Sequence, residues 1–166
     1  MHRVAIYDTT LRDGTQAEEL NLTTGDKLRI AHRLDELGVH YVEGGWPGSN
    51  PTDAAFFQEI RQQPLKHARI AAFGSTHNPR RTPDKDPNLQ TLLDAAAPVV
   101  TLFGKTWDFH ATTALGVPLE RNLELIAASV AYLRPKVEEL FFDAEHFFDG
   151  FKHNREYALA CLTAAS

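Results

Sequence analysis

The sequence predicts a parallel α/β fold assembled from five consecutive βα units. Three observations lead there. Short β-branched or aromatic runs alternate with longer amphipathic stretches, the units recur at roughly 30 residues each, and polar side chains crowd immediately after the runs. Across 166 residues, 43% of them hydrophobic, one sizeable core can be buried, which argues for a single domain over residues 1–166. Periodicity alone leaves two architectures open, a doubly wound sheet or the first five eighths of a (β/α)8 barrel.

Each element has its own warrant. Val4 to Tyr7 reads as the first strand. Thr23 or Thr24 caps a helix with Leu28, Ile30, Ala31, Leu34 and Leu37 on or near one face, and Gly38 ends it. Tyr41 to Glu43 is strand two, and Asn50 followed by Pro51 starts a helix that buries Ala54, Phe57 and Ile60. Ile70 to Phe73 is strand three. The loop STHNPRRTPDKDP after it is long and charged, so it is either a solvated connection or a working loop. Asn88 to Ala96 is helix three, Val99 to Phe103 strand four, Pro118 to Leu133 helix four, Leu140 to Phe142 strand five and Asn154 to Ala165 helix five.

Composition excludes several classes. A net charge of -5 with scattered basic residues argues against nucleic acid as a partner. Cys161 is the only cysteine, so no internal disulfide and no Cys-rich zinc cluster can form, and it reads as a small buried hydrophobe in a reducing, cytoplasmic setting. No apolar run is long enough to cross a membrane, and MHRVAIYD is too short and too soon acidic for a secretory signal.

In either architecture reactive groups gather at the carboxyl ends of the strands. Those ends carry Asp8, Arg12, Asp13 and Gln16; Glu43; Ser75, Thr76 and His77; Lys105; then Asp143, Glu145 and His146. Oxygen donors of this kind suit a divalent cation such as Mg2+, Mn2+ or Zn2+, and an arginine beside them could stabilise an oxyanion. An Arg12 and Asp13 salt bridge that only orders the loop explains the same residues. A phosphatase reading of DGT fails because Leu11 holds the place of the nucleophilic aspartate. GGWPG lacks the spacing of a phosphate cradle.

With these residues placed, YDTTLRDGTQ resembles the D-x-T-L-R-[DE]-G-x-Q signature of the superfamily that holds 2-isopropylmalate, homocitrate and citramalate synthases and 3-hydroxy-3-methylglutaryl-CoA lyase. The segments YVEGGWPGSNPTDAAFF, AAFGST, VVTLFGKTWDFH and DAEHFFDGFKHN are similar to the citramalate synthase branch. The resemblance implies a (β/α)8 barrel and a metal-assisted condensation of acetyl-CoA with a 2-oxo acid, pyruvate foremost, in isoleucine biosynthesis. It implies Asp13 as metal ligand, Arg12 as the cation facing the 2-oxo acid and Glu145 as catalytic base. Gln16, Glu43 and Asp143 are expected to face the substrate, and Asp8 to support them. The 2-isopropylmalate and homocitrate synthases, the lyase branch and a non-catalytic half barrel are the alternatives.

The family's H-x-H ligand pair is not found in this sequence, and His146 does not fit that spacing. We therefore expect an incomplete, inactive site, a half barrel with open edges at strands one and five, and self-association. His146 is expected to orient its neighbours, and His32, His40, His67 and His153 to lie at the surface. Trp46 and Trp107 are expected to pack the loops, with an acyl-CoA pocket as the other reading; Phe56, Phe57, Phe141 and Phe142 are expected in the core, and Lys105 in solvent, with contact to the CoA phosphates or the substrate carboxylate as its other reading.

Overall fold

The structure, a computed structural model, describes residues 4–166, so any reading of residues 1–3 lies outside it. The strands are β1 (Tyr7–Asp8), β2 (Tyr41–Gly45), β3 (Arg69–Ser75), β4 (Val99–Lys105) and β5 (Glu139–Glu145). The helices are α1 (Thr24–Leu37), α2 (Pro51–Ile60), α3 (Pro87–Asp94), α4 (Leu119–Leu133), α5 (Phe147–His153) and α6 (Arg155–Ala164). Hydrogen bonding joins the strands in chain order, β1-β2-β3-β4-β5. A doubly wound sheet reverses at a switch point, whereas a (β/α)8 barrel adds each strand on the same side. The sequential order is the barrel's.

Two compact units divide the chain, one holding the residues up to Gly74 with Thr91–Val100, the other Ser75–Gln90 with Thr101–Ser166. In the first unit, β1 pairs parallel to β2 with Tyr7 opposite Tyr41, and β2 pairs parallel to β3 with Val42 opposite Ile70. Thr23 caps α1 through a reciprocal box: its hydroxyl accepts from the Asp26 N–H and its own N–H donates to Asp26. The helix ends at Gly38 as expected. Its inner face differs from the expectation, because Leu37 is exposed while Lys27 and Asp35 are buried with Leu28 and Ala31. Both charges have partners that justify the burial. Lys27 pairs with Asp53, and the Asp35 carboxylate accepts the backbone N–H groups of Lys66, His67 and Ala68 at 2.9, 2.7 and 2.7 Å.

Asn50 caps α2 by accepting the Asp53 N–H, and Phe56, Phe57 and Ile60 are buried as read, while Ala54 is half-buried. β1 begins at Tyr7 rather than Val4. With β2 as its neighbour and no described strand on its other side, Val4 and Ile6 have little to pack against and stay exposed. His40 is half-buried rather than at the surface, since its Nδ1 accepts the Ile6 N–H at 3.0 Å.

In the second unit the core gathers Ala111, Ile126, Tyr157 and Cys161, with Phe142 packed against them. Burial pushes the Cys161 thiol up to about 11, which fits an inert core position. β5 is half-buried along its length, so Phe141 and Phe142 are only partly core. The fifth helix falls where it was read, as α6, with Asn154 capping it by accepting the Tyr157 N–H; the short α5, which closes at His153 just before it, was not foreseen. A short π-helix, His110–Ala114, follows β4 and was not foreseen. The charged loop after β3 is not simply solvated: His77 and Asp86 are each 3% exposed, and Asp86 accepts the N–H groups of Asn78, Asn88 and Leu89.

Candidate active site

The polar groups of the first unit are set by a tight turn after β1. The Thr9 carbonyl accepts the N–H groups of Arg12, Asp13 and Gly14 at 3.1, 2.9 and 3.2 Å, while Asp8 accepts from Thr10. Leu11, 0% exposed, anchors the turn in the core and leaves the next side chains to the strand end. Arg12 is then fixed on three sides. Its Nε donates to Glu43 at 3.1 Å, its Nη1 donates to Asp13 at 3.0 Å, and its guanidinium lies 3.9 Å from the centre of the Phe73 ring. Glu43 is 1% exposed, a charge that burial would penalise heavily without the guanidinium beside it.

Beneath this pair lies a buried support that no local pattern announced. Asp53 accepts from Lys27 and from the Trp46 N–H, the latter at 2.8 Å, and the Trp46 ring meets Phe73 edge-on at 6.1 Å. Gly45 has φ of 139°, and a Cβ there would lie 2.5 Å from the Asp53 carboxylate, so only glycine allows this contact. Burial lowers the Lys27 pKa, with Asp53 opposing the shift. Packing is thus the reading of Trp46 that the structure supports.

The second unit offers a different group of side chains. Lys105 donates to Glu145 at 2.5 Å; both are partly buried, so Lys105 is not the solvated lysine expected. Thr106 clamps the two strand ends by donating its hydroxyl to the Glu145 carbonyl at 2.6 Å, and Gly150 packs so closely that a Cβ would lie 2.4 Å from the Thr106 carbonyl oxygen. His146 sits at φ of 55°, a left-handed conformation rare outside glycine. Its ring meets His110 edge to face at 4.5 Å, and Trp107 lies 4.7 Å from His110. Burial lowers the His110 pKa, helped by the positive charges of His146 and Lys105 and opposed by Glu145 and Asp149.

The structure therefore brings Arg12, Asp13 and Glu43 together in one unit and Lys105 and Glu145 in the other. Gln16 is exposed on the 3-10 turn Gly14–Gln16, and Asp143 is half-buried on β5. Sequence reasoning missed Lys27 and Asp53, and it gave His110 no role. No local signal marked Lys27 or Asp53, because the two meet only across 26 residues. His77 and Ser129 imitate a nucleophile pair at 2.8 Å, but Ser129 is 0% exposed and donates its hydroxyl to the Leu125 carbonyl. An apolar pocket of about 230 Å³ lined by Phe57, Ile60, Leu65 and Ile70 holds none of these groups.

Asp13 is exposed and ion-paired to Arg12, and among the described residues no group of three or more His, Cys, Asp and Glu side chains is placed to hold a metal ion. The residues present do not by themselves fit a divalent cation.

The parallel strands in sequential order, with Arg12, Asp13 and Glu43 at the first strand ends, are those of a partial (β/α)8 barrel. The chain belongs to the HMGL-like family, whose model matches residues 3–161. It is 60% identical to the (R)-citramalate synthase of Geobacter sulfurreducens over 99% of its length, and 53% identical to that of Aquifex aeolicus over 98%. It is 33% identical to the 2-isopropylmalate synthase of Bacillus licheniformis over 87%. The chain spans about 31% of the length of the citramalate synthases. Among solved structures, the hydroxymethylglutaryl-CoA lyase of Pseudomonas aeruginosa shares the fold with a TM-score of 0.63 at 21% identity, over 84% of this chain and 45% of that one. The HMG-CoA lyase of Bacillus subtilis gives 0.64 at 16% identity, over 98% and 55%. The resemblance to the citramalate synthase branch holds, and these relatives are enzymes. Among the described residues no helix is long and apolar enough to cross a membrane.

Proposed function

We propose that the protein condenses acetyl-CoA with a 2-oxo acid, pyruvate foremost, to give (R)-citramalate for isoleucine synthesis in the cytoplasm. The observation that carries this reading is the 60% identity to a citramalate synthase across nearly the whole chain, set beside 33% to a 2-isopropylmalate synthase. Arg12 is assigned the 2-oxo acid: its planar fork, already held by Glu43 and Phe73, presents N–H groups to an oxygen that gains charge as the new bond forms. Glu145 is assigned the acetyl methyl proton. Its tie to Lys105 must loosen for that, and the partial exposure of both groups permits an incoming anion to draw the ammonium away. Hydrolysis of the thioester makes the sequence irreversible.

Gln16 and Asp143 are retained as proposed substrate contacts and Asp13 as a proposed ligand of Mg2+, Mn2+ or Zn2+. The described residues by themselves supply too few donors to hold such an ion, and Arg12 competes for the same carboxylate. We also propose that the isolated chain is inactive and self-associates, on the strength of exposed Val4, Ile6, Phe148, Leu159 and Leu162. Sedimentation at low micromolar concentration tests this, and a stable monomer would contradict it. The function itself is tested by offering the complete gene product acetyl-CoA with pyruvate, 2-oxoisovalerate or 2-oxoglutarate and following thiol release. A pocket sized for methyl should favour pyruvate at least about tenfold; preference for a larger acid overturns the assignment.

A further inference from the structure

Two buried nitrogens beside Glu145 have no hydrogen-bond partner among the described residues, Trp107 Nε1 and His110 Nδ1. Folded proteins seldom bury such atoms unpaired, so two in rings 4.7 Å apart demand an explanation. An indole N–H can only donate. The rings are bordered by His146, 4.5 Å from His110, and by Phe109, 5.8 Å from His110, both well exposed. The surrounding frame is rigid, through the Thr106 to Glu145 bond and the close Gly150 contact.

We propose that Trp107 Nε1 and a ring nitrogen of His110 are the donors that hold the thioester oxygen of the acyl-CoA as it becomes an enolate. This rests on the proposed condensation and adds the group it leaves unnamed. When Glu145 removes a methyl proton, the C–H electron pair moves into a carbon–carbon double bond and the carbonyl π pair moves onto oxygen; the proton rests on the carboxylate. That oxygen needs donors already desolvated and aimed. A neutral imidazole suits a weakly acidic enol better than a cation would, and burial, with Lys105 and His146 adding to it and Glu145 and Asp149 opposing, lowers the His110 pKa in the direction that favours the neutral ring. His110 here is a donor and Glu145 the only base.

The test uses the complete gene product and reads two events, thiol release with pyruvate and deuterium exchange of the acetyl-CoA methyl in D2O. W107F keeps an aromatic ring, smaller than the indole, and deletes one donor. It is expected to slow both events about 10²-fold, to leave KM for acetyl-CoA within about twofold, and to lower Tm only slightly, since loss of an unpaired buried donor offsets part of the lost packing. H110F should match it, while H110N, which retains an N–H, should recover part of the rate. Wild-type rates in W107F and H110F overturn the inference while the condensation stands, as does a rate loss that only tracks a lowered Tm. A wild-type protein that neither exchanges nor condenses acetyl-CoA overturns the proposed function, and the donor role with it.

Discussion

The two units each present a cation and a carboxylate at a strand end, yet they handle the pair in opposite ways. Arg12 and Glu43 form a fixed pair, with Glu43 1% exposed, a ring under the guanidinium and Lys27 and Asp53 buried behind it. Lys105 and Glu145 are 25% and 30% exposed, and the lysine has a flexible stem. A guanidinium cannot surrender its proton, so the first unit supplies constant charge. The second holds groups able to part and exchange protons. Under the proposed roles of Arg12 and Glu145, binding charge and proton chemistry would be kept on separate supports.

In the complete gene product, substitution at Arg12 and at the two carboxylates separates these roles most sharply. R12K should lower kcat/KM by about 10²-fold or more, since an ammonium cannot replace the fork between Glu43 and the substrate. E145Q should reduce methyl exchange comparably but cost under about 1 kcal/mol of stability, as for a partly exposed pair. E43Q should do the reverse in stability and cost about 3 kcal/mol. Denaturant midpoints of the three variants check this; equal losses for E43Q and E145Q would erase the distinction between the units. Next in size is K27M, which strands the Asp53 carboxylate in the interior and should cost about 3 kcal/mol. The double variant K27M/D53N should recover much of that loss, and failure to recover would mean that lost packing dominates.

The same contrast governs what the sequence could disclose. Elements whose signals are local were legible, as the Asn50 cap, the helix stop at Gly38 and the strand at Tyr41 depend on near neighbours, whereas the choice of a barrel over a doubly wound sheet came only from the family resemblance. The Arg12 to Glu43 bond spans 31 residues, and its partners were named because each stands at a strand end. Lys27 and Asp53 were invisible because a charged helix face ordinarily meets water; only the other's approach across 26 residues makes its burial tolerable. His110 was hidden for another reason, since the π-helix that turns it toward Trp107 and His146 leaves no period in the sequence.

Acid should loosen the second unit before the first. Burial lowers the His77 pKa, with Arg121 adding to the shift and Asp86 opposing it. The unfolded chain then binds the proton first, and stability falls as pH drops below about 6.5. Burial raises the Asp35 pKa, but the three backbone N–H groups outweigh it and leave a lowered value. Its contribution is complete above the unfolded value near 3.9 and is lost only as pH falls through the folded one. Hydrogen exchange at pH 7.5, 5.5 and 4 should therefore show protection lost around His77 and α4 before residues 66–68. The opposite order would show that His77 is not the first group to couple.

The smallest effects lie at the helix caps, and they compare the units without touching either charge pair. T23A removes the side chain that accepts the Asp26 N–H at the start of α1 and should cost about 1 kcal/mol. N154A removes the acceptor of the Tyr157 N–H and also a 3.3 Å contact in which its amide donates to Asp108. Asp108 also accepts from the Phe109 N–H and pairs with His153, so it binds the Trp107 and His110 loop to the junction of α5 and α6. If that loop carries the enolate donors, N154A should lower methyl exchange severalfold for a similar stability loss, whereas T23A should leave exchange per folded molecule unchanged. Equal effects of the two variants on exchange would mean the loop holds its shape without Asp108.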